Sequence, residues 1–298
     1  MKSDHNYKGI ILAGGSGTRL HPITKPISKQ LLPVYDKPMI YYPLSVLMLA
    51  KIRDILFVCN KESINHYKKL FGDGNDLGIN IDYKIQNKPE GIAQAITLGE
   101  EFIGKDNIAL ILGDNIFYGN GIKNYLQIAT NNDQGATIFG YEVADPERFG
   151  VVEFDSDNNA ISIEEKPKNP KSRFAVTGLY FYDNSVIEIA KNLKKSDRGE
   201  YEITDINKEF LKKSSLKVIQ ISKNDGWLDT GTHDSLLEAS NKIKLTEEEQ
   251  KSKIGCIEEI AFKNNWIESK ILKLRSKEMS KTAYGKYLFN LAKKNESK

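Results

Sequence analysis

Cysteine is nearly missing from this chain: Cys59 and Cys256 are the only two among 298 residues. Two thiols this far apart make no disulfide framework and lack the spacing of a metal site. Cys59 closes the apolar run Ile55–Val58, where a buried structural thiol is expected. Histidine is also scarce, at four, and no His–carboxylate or Ser–His arrangement stands out as nucleophilic machinery. Long hydrophobic runs are absent too. None approaches the ~18 residues of a membrane span. The segment Met1–Lys8 is polar, and the apolar stretch behind it is too short for the core of a signal peptide. Charge of one sign is lacking: 43 basic and 40 acidic side chains leave +3. The basic residues are spread rather than striped, which argues against a nucleic-acid backbone as partner. These absences predict a reduced, cytoplasmic protein with no membrane and no nucleic acid among its partners.

What is present is a core-forming chain, 40% hydrophobic, with a rhythm of short apolar runs and helical patterns. Gly9–Leu12, Ile55–Val58, Ile81–Ile85, Ile108–Leu112 and Ala136–Tyr141 read as buried strands. Pro38–Lys51, Glu62–Leu70, Glu90–Phe102 and Ile122–Ala129 read as the helices between them. Ile40, Leu44, Leu47 and Met48 fall on one stripe of the first. Continuous apolar strands alternating with helices predict an α/β fold: a Rossmann-like, mostly parallel mixed sheet flanked by helices. Past residue 145 the rhythm changes. Val151–Phe154, Ala160–Ile163, Ala175–Tyr182 and Leu216–Ile221 read as strands, Asn184–Leu193 and Thr204–Lys212 as helices. From Thr232 the chain reads as mostly helical, with a highly charged stretch at Thr246–Lys253. The expected organisation is a core over 1–245 in two halves, one to about 145 and one over 146–245. A C-terminal helical segment over 246–298 follows it.

The most informative segment is Ile10–Leu20, I-I-L-A-G-G-S-G-T-R-L. A buried strand breaks into glycines and the glycines end on an arginine. Glycines let main-chain N–H groups approach an anion closely, and Arg19 adds a fork of donors shaped for phosphate. The segment is not a P-loop, because Thr18 and Arg19 follow Gly17 where Lys-Ser/Thr should stand. Nor is it a dinucleotide fingerprint, because Leu20 stands at the third glycine. A plain tight turn is the alternative. In open α/β sheets ligands gather beyond the carboxyl ends of the strands. Gly14–Arg19, Gln86 with Gly91, and Asp114 with Asn115 all follow strands and so converge on one edge.

Beyond the loop, Pro26–Met39 frames Lys29 and Gln30 between prolines. Then come Leu112-Gly113-Asp114-Asn115-Ile116-Phe117-Tyr118-Gly119, Glu164-Glu165-Lys166-Pro167, Val176-Thr177-Gly178-Leu179-Tyr180, Arg198–Asp205 and Trp227-Leu228-Asp229-Thr230-Gly231-Thr232. In this order and spacing the chain resembles the sugar-nucleotidyltransferase family over essentially its whole length.

The resemblance implies transfer of a thymidylyl group from dTTP to glucose 1-phosphate, giving dTDP-glucose and pyrophosphate, as the first step toward dTDP-rhamnose. Both reactants are anions, and unit charges ~4 Å apart repel by roughly 4 kcal/mol at an effective dielectric near 20. Fixed cations and a metal are therefore needed. The resemblance gives Arg19 and Lys29 to the triphosphate and Lys166 to the sugar phosphate, and counts these with Asp114 as the catalytic set. It places Gly14, Gly15, Gly17, Thr18, Gln30, Gln86 and Gly91 beside Arg19, Lys29 and Asp114 around the nucleotide. A glutamine amide such as Gln86 can donate to and accept from a thymine or uracil edge. Asn115, Gly150, Glu165, Val176, Gly178 and Tyr180 would join Lys166 around the sugar, with Tyr180 equally at home in a core. Asp114 and Asp229 would hold Mg²⁺, where turn capping is the plain alternative. His21 reads as a structural neighbour.

The resemblance also implies a homotetramer and feedback by dTDP-rhamnose at a second site. That site would involve the region after Gly119, where Asn120-Gly121 stands in place of a common histidine, and the C-terminal helices. Two rival readings remain: uridylyl transfer on the same fold, and a non-catalytic nucleotide-sugar sensor.

Overall fold

The computed structural model describes residues 7–15 and 17–296. The other residues of Met1–Lys8, Ser16 of the glycine loop and the last two residues of the expected helical segment lie outside them. Thirteen strands are present among the described residues: β1 (Tyr7–Ala13), β2 (Pro33–Val34), β3 (Lys37–Pro38), β4 (Asp54–Cys59), β5 (Asn80–Ile85), β6 (Asn107–Leu112), β7 (Asn115–Tyr118), β8 (Ala136–Glu142), β9 (Gly150–Phe154), β10 (Ala160–Glu165), β11 (Phe174–Tyr182), β12 (Leu216–Gln220) and β13 (Gly226–Asp229). Nine of them form one sheet in the order β10-β9-β11-β6-β1-β4-β5, with β8 pairing β11 and β12.

The apolar runs are continuous because the sheet is covered on both faces. Ile11, Ile55, Phe57, Ala109 and Ile111 enter one core. Their neighbours Ile10, Leu56, Val58, Ile108 and Leu110 enter the other. The two-residue period of a strand thus feeds two hydrophobic layers at once.

The sheet is mixed. β1 runs parallel to β4 and β6, and β4 runs parallel to β5. β12 is parallel to β8. β11, by contrast, is antiparallel to β6, β8 and β9, as is β10 to β9. The parallel character therefore sits mainly in the first half of the chain.

Three local readings shift. The helix expected over Pro38–Lys51 is Tyr41–Leu49, and Pro38 pairs within the β2–β3 hairpin. Its single apolar stripe is replaced by burial of every residue from Tyr42 to Met48, because the helix Ile257–Lys263 packs on its outer side. The helix expected over Glu90–Phe102 is two short ones, Gln94–Leu98 and Glu100–Ile103, meeting at Gly99. A Cβ on Gly99 would sit 3.1 Å from Ile10 and 3.2 Å from Leu56, so the chain passes close over the sheet there. A further two-stranded ladder, β7 with β13, appears where only turns were expected.

After Thr232, whose hydroxyl and Ser235 form a reciprocal cap, the chain is helical: His233–Gln250, Ile257–Lys263, Ser269–Glu278 and Ala283–Glu296. This segment is fastened to the β2–β3 hairpin by buried charge. Lys37 Nζ reaches Asp36 at 2.5 Å and Glu247 at 3.0 Å, and Lys253 Nζ pairs with Glu247 at 2.6 Å and with Asp36. Both cysteines are buried and free, and burial pushes the Cys59 thiol up to about 11. Among the described residues no helix is long and apolar enough to cross a membrane.

Candidate active site

β1 and β6 are adjacent and parallel, so their carboxyl ends deliver Gly14 and Gly113 side by side, joined by Gly113 N donating to Leu12 O at 2.9 Å. Asp114 follows at once. The proline-framed segment folds over this edge and brings Lys29 Nζ to 2.5 Å from Asp114 Oδ2. Lys29 is only 8% exposed, so a charged side chain has been drawn out of water to meet this carboxylate. Burial alone would raise the Asp114 carboxyl. The Lys29 charge, its hydrogen bond and the Asn115 amide outweigh that and hold it below the ordinary carboxylate range.

Asp229 arrives on the β7–β13 ladder, where it pairs with Asn115. Thr230 straps the two segments together, its Oγ1 donating to Asp114 O at 2.9 Å. Asp229 is pushed upward by burial and then by the Asp114 charge, against the pull of Lys29, Arg19 and Arg148. The two carboxyls are thus shifted in opposite directions, Asp114 downward by Lys29 and Asp229 upward by burial and then by the Asp114 charge. Among the described residues no group of three or more His, Cys, Asp or Glu side chains could hold a metal. The donor set is two carboxylates, which suits a hard divalent ion whose shell is completed by phosphate oxygens and water.

Around this pair opens a cleft of about 480 Å³ lined by Arg19, Asp114, Asn115, Gly150, Glu165, Lys166, Val176, Gly178, Tyr180 and Asp229, among others. Both halves of the sheet contribute to it, and ten of the expected site residues meet there. Lys166 is exposed at the rim with φ 46°, a left-handed conformation uncommon for a side-chain-bearing residue. Its N–H is anchored to Phe149 O at 2.9 Å. Glu165 accepts from Thr204 Oγ1 at 2.5 Å. Gly150 leaves room for both, since a Cβ there would lie 3.1 Å from Thr204 Oγ1 and 3.3 Å from Glu165 Oε2.

Of these ten, Asn115 and Tyr180 are buried in the wall, whereas Gly14, Gly15, Gly17, Thr18, Lys29, Gln30, Gln86 and Gly91 lie beside the cleft. Asn115 is buried with its amide committed: Oδ1 accepts from Gly178 N at 2.9 Å and Trp227 Nε1 at 2.6 Å, and Nδ2 donates to Asp114 at 3.1 Å. Gln30 is buried and donates to Gly14 O at 3.3 Å, bracing the glycine loop. Gln86 donates to Gln94 Oε1 at 2.7 Å, and its own Oε1 occupies the space a Cβ on Gly14 would need. Gly91 has φ 110° and lies against the Tyr201 backbone. Gly17 packs on Thr24 and Lys29, and Thr18, itself exposed, begins the 3-10 turn Thr18–Leu20, which ends on the buried Leu20. Gly15 borders a separate small cavity with Lys25 and His66. Tyr180 is 3% exposed and stacks on Tyr182, so it serves the core while facing the cleft.

Two arginines had no role read for them: Arg198, which heads a quoted motif, and Arg148, two residues before Gly150. Arg148 Nη2 lies 3.5 Å from Asp229 Oδ2 while Nη1 holds Asp145 at 2.6 Å. Arg198 bridges Glu165 at 3.3 Å and Glu200 at 2.8 Å. Both line the cleft, so its positive charge exceeds the three cations first expected.

A second cavity of about 670 Å³ lies between the helix Tyr41–Leu49, the segment Phe117–Gly119 leading into the helix Ile122–Thr130, and the C-terminal residues 250–264. Lys51, Lys123, Lys253 and Lys263 are on its wall.

A nucleotidyl transferase family model matches residues 8–246. The chain belongs to the nucleotidyl transferase family. Enzymes of this family generally use a divalent metal. The chain is 57% identical over 284 residues to a glucose-1-phosphate thymidylyltransferase of Neisseria gonorrhoeae, covering 95% of this chain and 99% of that one. A Bacillus anthracis crystal structure, assigned as a glucose-1-phosphate thymidylyltransferase and holding sucrose, is 47% identical with a TM-score of 0.74. It covers 79% of this chain and 94% of its own. A UDP-glucose pyrophosphorylase in complex with UDP-glucose is 25% identical with a TM-score of 0.72 over 80% of this chain and 99% of its own.

Proposed function

We propose that this nucleotidyl transferase converts dTTP and glucose 1-phosphate to dTDP-glucose and pyrophosphate. The observation that carries the reading is the Asp114–Lys29 pair with Asp229 strapped beside it, at the head of a cleft spanning both halves of the sheet. The relatives' names supply the nucleotide and the sugar.

An oxygen of the sugar phosphate attacks the α-phosphorus. The new P–O bond forms as the bond to the bridging oxygen breaks, and that electron pair leaves on pyrophosphate. No proton transfer is required, because the attacking phosphate is already ionised. Arg19 and Lys29 face the triphosphate and stabilise the departing charge. Lys166, with Arg148 and Arg198, draws the sugar phosphate into line. Glu165, positioned by Thr204 and Arg198, accepts from sugar hydroxyls. Gln86 reads the base edge, and Gly14, Gly15 and Gly17 offer main-chain N–H groups. Asp114 and Asp229 would hold Mg²⁺, which supplies charge neutralisation across the phosphates. In-line alignment of this kind is worth roughly 7–11 kcal/mol of barrier.

The second cavity, with its four lysines, is the place where dTDP-rhamnose would act as feedback ligand, in a cytoplasmic homotetramer. The deciding experiment is pyrophosphate release with Mg²⁺ in a matrix of dTTP or UTP against glucose 1-phosphate or galactose 1-phosphate. The expected maximum is dTTP with glucose 1-phosphate. Preference for UTP would establish the uridylyl alternative, and no release in any cell would point to a nucleotide-sugar sensor.

A further inference from the structure

The wall of the second cavity contains an arrangement that the cleft does not explain. β7 ends at Tyr118, directly opposite Gly226 at the start of β13. A Cβ on residue 226 would fall inside the Tyr118 phenol, against Cζ, Cε1 and the hydroxyl. The ring therefore rests where any other residue would carry its side chain. Tyr118 also lines the cavity, so the ring that lies on Gly226 forms part of the cavity wall.

The backbone around it cannot give way easily. Asp225 accepts from Gly121 N at 2.8 Å and from Tyr125 Oη at 2.9 Å. Cβ atoms on Gly119 or Gly121 would both collide with the same carboxylate. The loop between β7 and the helix Ile122–Thr130 is thus clipped in place, and the rotatable part is the Tyr118 side chain. Phenol rings move between discrete staggered positions about χ1 rather than by small adjustment.

We propose that Tyr118 and Gly226 form the gate that sets the size of the second cavity, with the Asp225 clip as its fixed frame. The proposal rests on the reading of that cavity as a feedback site, and names what determines which ligand fits it. With the ring lying on Gly226, the cavity admits a nucleoside diphosphate bearing a sugar. With any side chain at 226, the ring turns into the cavity and excludes it.

The test is Gly226→Ala, assayed at saturating dTTP against dTDP-rhamnose, in the Tyr118 and the Tyr118→Ala backgrounds. A clash of this severity amounts to about a tenfold rise in the half-inhibitory concentration. That rise is expected with Tyr118 present and expected to shrink below about twofold once the ring is removed, by the same arithmetic. An equal rise in both backgrounds, or none in either while the parent enzyme is inhibited, overturns the gate. A crystal structure of Gly226→Ala reads the ring directly: a ring within the cavity supports the proposal, and a ring elsewhere overturns it. If the parent enzyme is insensitive to dTDP-rhamnose, the feedback reading fails, and the gate is judged by that crystal structure alone.

Discussion

The two cavities differ in how their charges are held. At the cleft, opposite charges pair beside an opening to solvent: Lys29 with Asp114 at 2.5 Å, Arg148 with Asp229 at 3.5 Å and Arg198 with Glu165 at 3.3 Å. Each partner can be taken over by a phosphate, a sugar hydroxyl or a metal ion. In the second cavity Lys253 and Lys263 are tied to Glu247, Asp36 and Glu259, and Lys51 to Asn264, so most of its lysines belong to the scaffold. A pocket for chemistry keeps its charges exchangeable. A pocket in the joint between two parts of a fold uses them as fasteners.

The sharpest way to break this contrast is Asp229→Asn. It removes one exchangeable charge and leaves the ladder intact, so turnover should fall about 10³-fold, the scale of losing a main electrostatic stabiliser, with an unchanged melting temperature. A variant with full activity would mean that the metal lies elsewhere. Next in size is Lys37→Met. It leaves Asp36 and the buried Glu247 to Lys253, and losing the charged hydrogen bonds of Lys37 should cost about 2 kcal/mol of unfolding free energy. Denaturant unfolding measures it, while kcat per folded molecule is expected to persist.

Acid provides a milder probe of the same fastener. Burial would raise Asp36, but Lys37 and Lys253 more than compensate and hold it below the ordinary range. A folded-state value below the unfolded one stabilises at pH above the unfolded value near 4, and that stability is lost as pH falls through the folded value. Asp36→Asn should flatten the melting-temperature profile below about pH 5, by the same linkage. An identical acid profile in parent and variant would remove Asp36 from the fastener. The smallest expected effect is Tyr287→Phe, which deletes a 2.7 Å hydrogen bond to Glu259 beside the cavity. It should cost about 1 kcal/mol, measured by denaturant unfolding, and leave the cleft's kinetics unaltered.

The same contrast explains what could be read from sequence. Arg19 and Asp114 could be singled out because each follows a strand at the edge where ligands gather, whereas Lys166 was singled out only by the family resemblance of its motif. Asn115 belongs to such a motif, yet its amide is spent on Gly178 and Trp227, a commitment made by residues far along the chain. Arg148 and Arg198 were in view as letters. Their bearing on the cleft depends on which carboxylates the folded loops place opposite them. The helix Tyr41–Leu49 was read as one-sided because its stripe is visible in sequence, whereas the helix that covers its other face comes more than 200 residues later. Burial from a distant partner leaves no periodic trace. The β7–β13 ladder was missed for a related reason: four-residue strands amid turn signals carry too few alternations to register.

That ladder has a consequence for the life of the chain. Asp229 takes its place only when a strand pairs with one whose Asn115 side chain meets Trp227 across 112 residues of sequence. Contacts so far apart form late, after the intervening chain is ordered. Until residues 226–230 have left the ribosome and docked, the glycine loop and Asp114 can be complete and still do no chemistry. With Asp229 in its proposed role, activity requires a chain made and folded at least as far as residue 230.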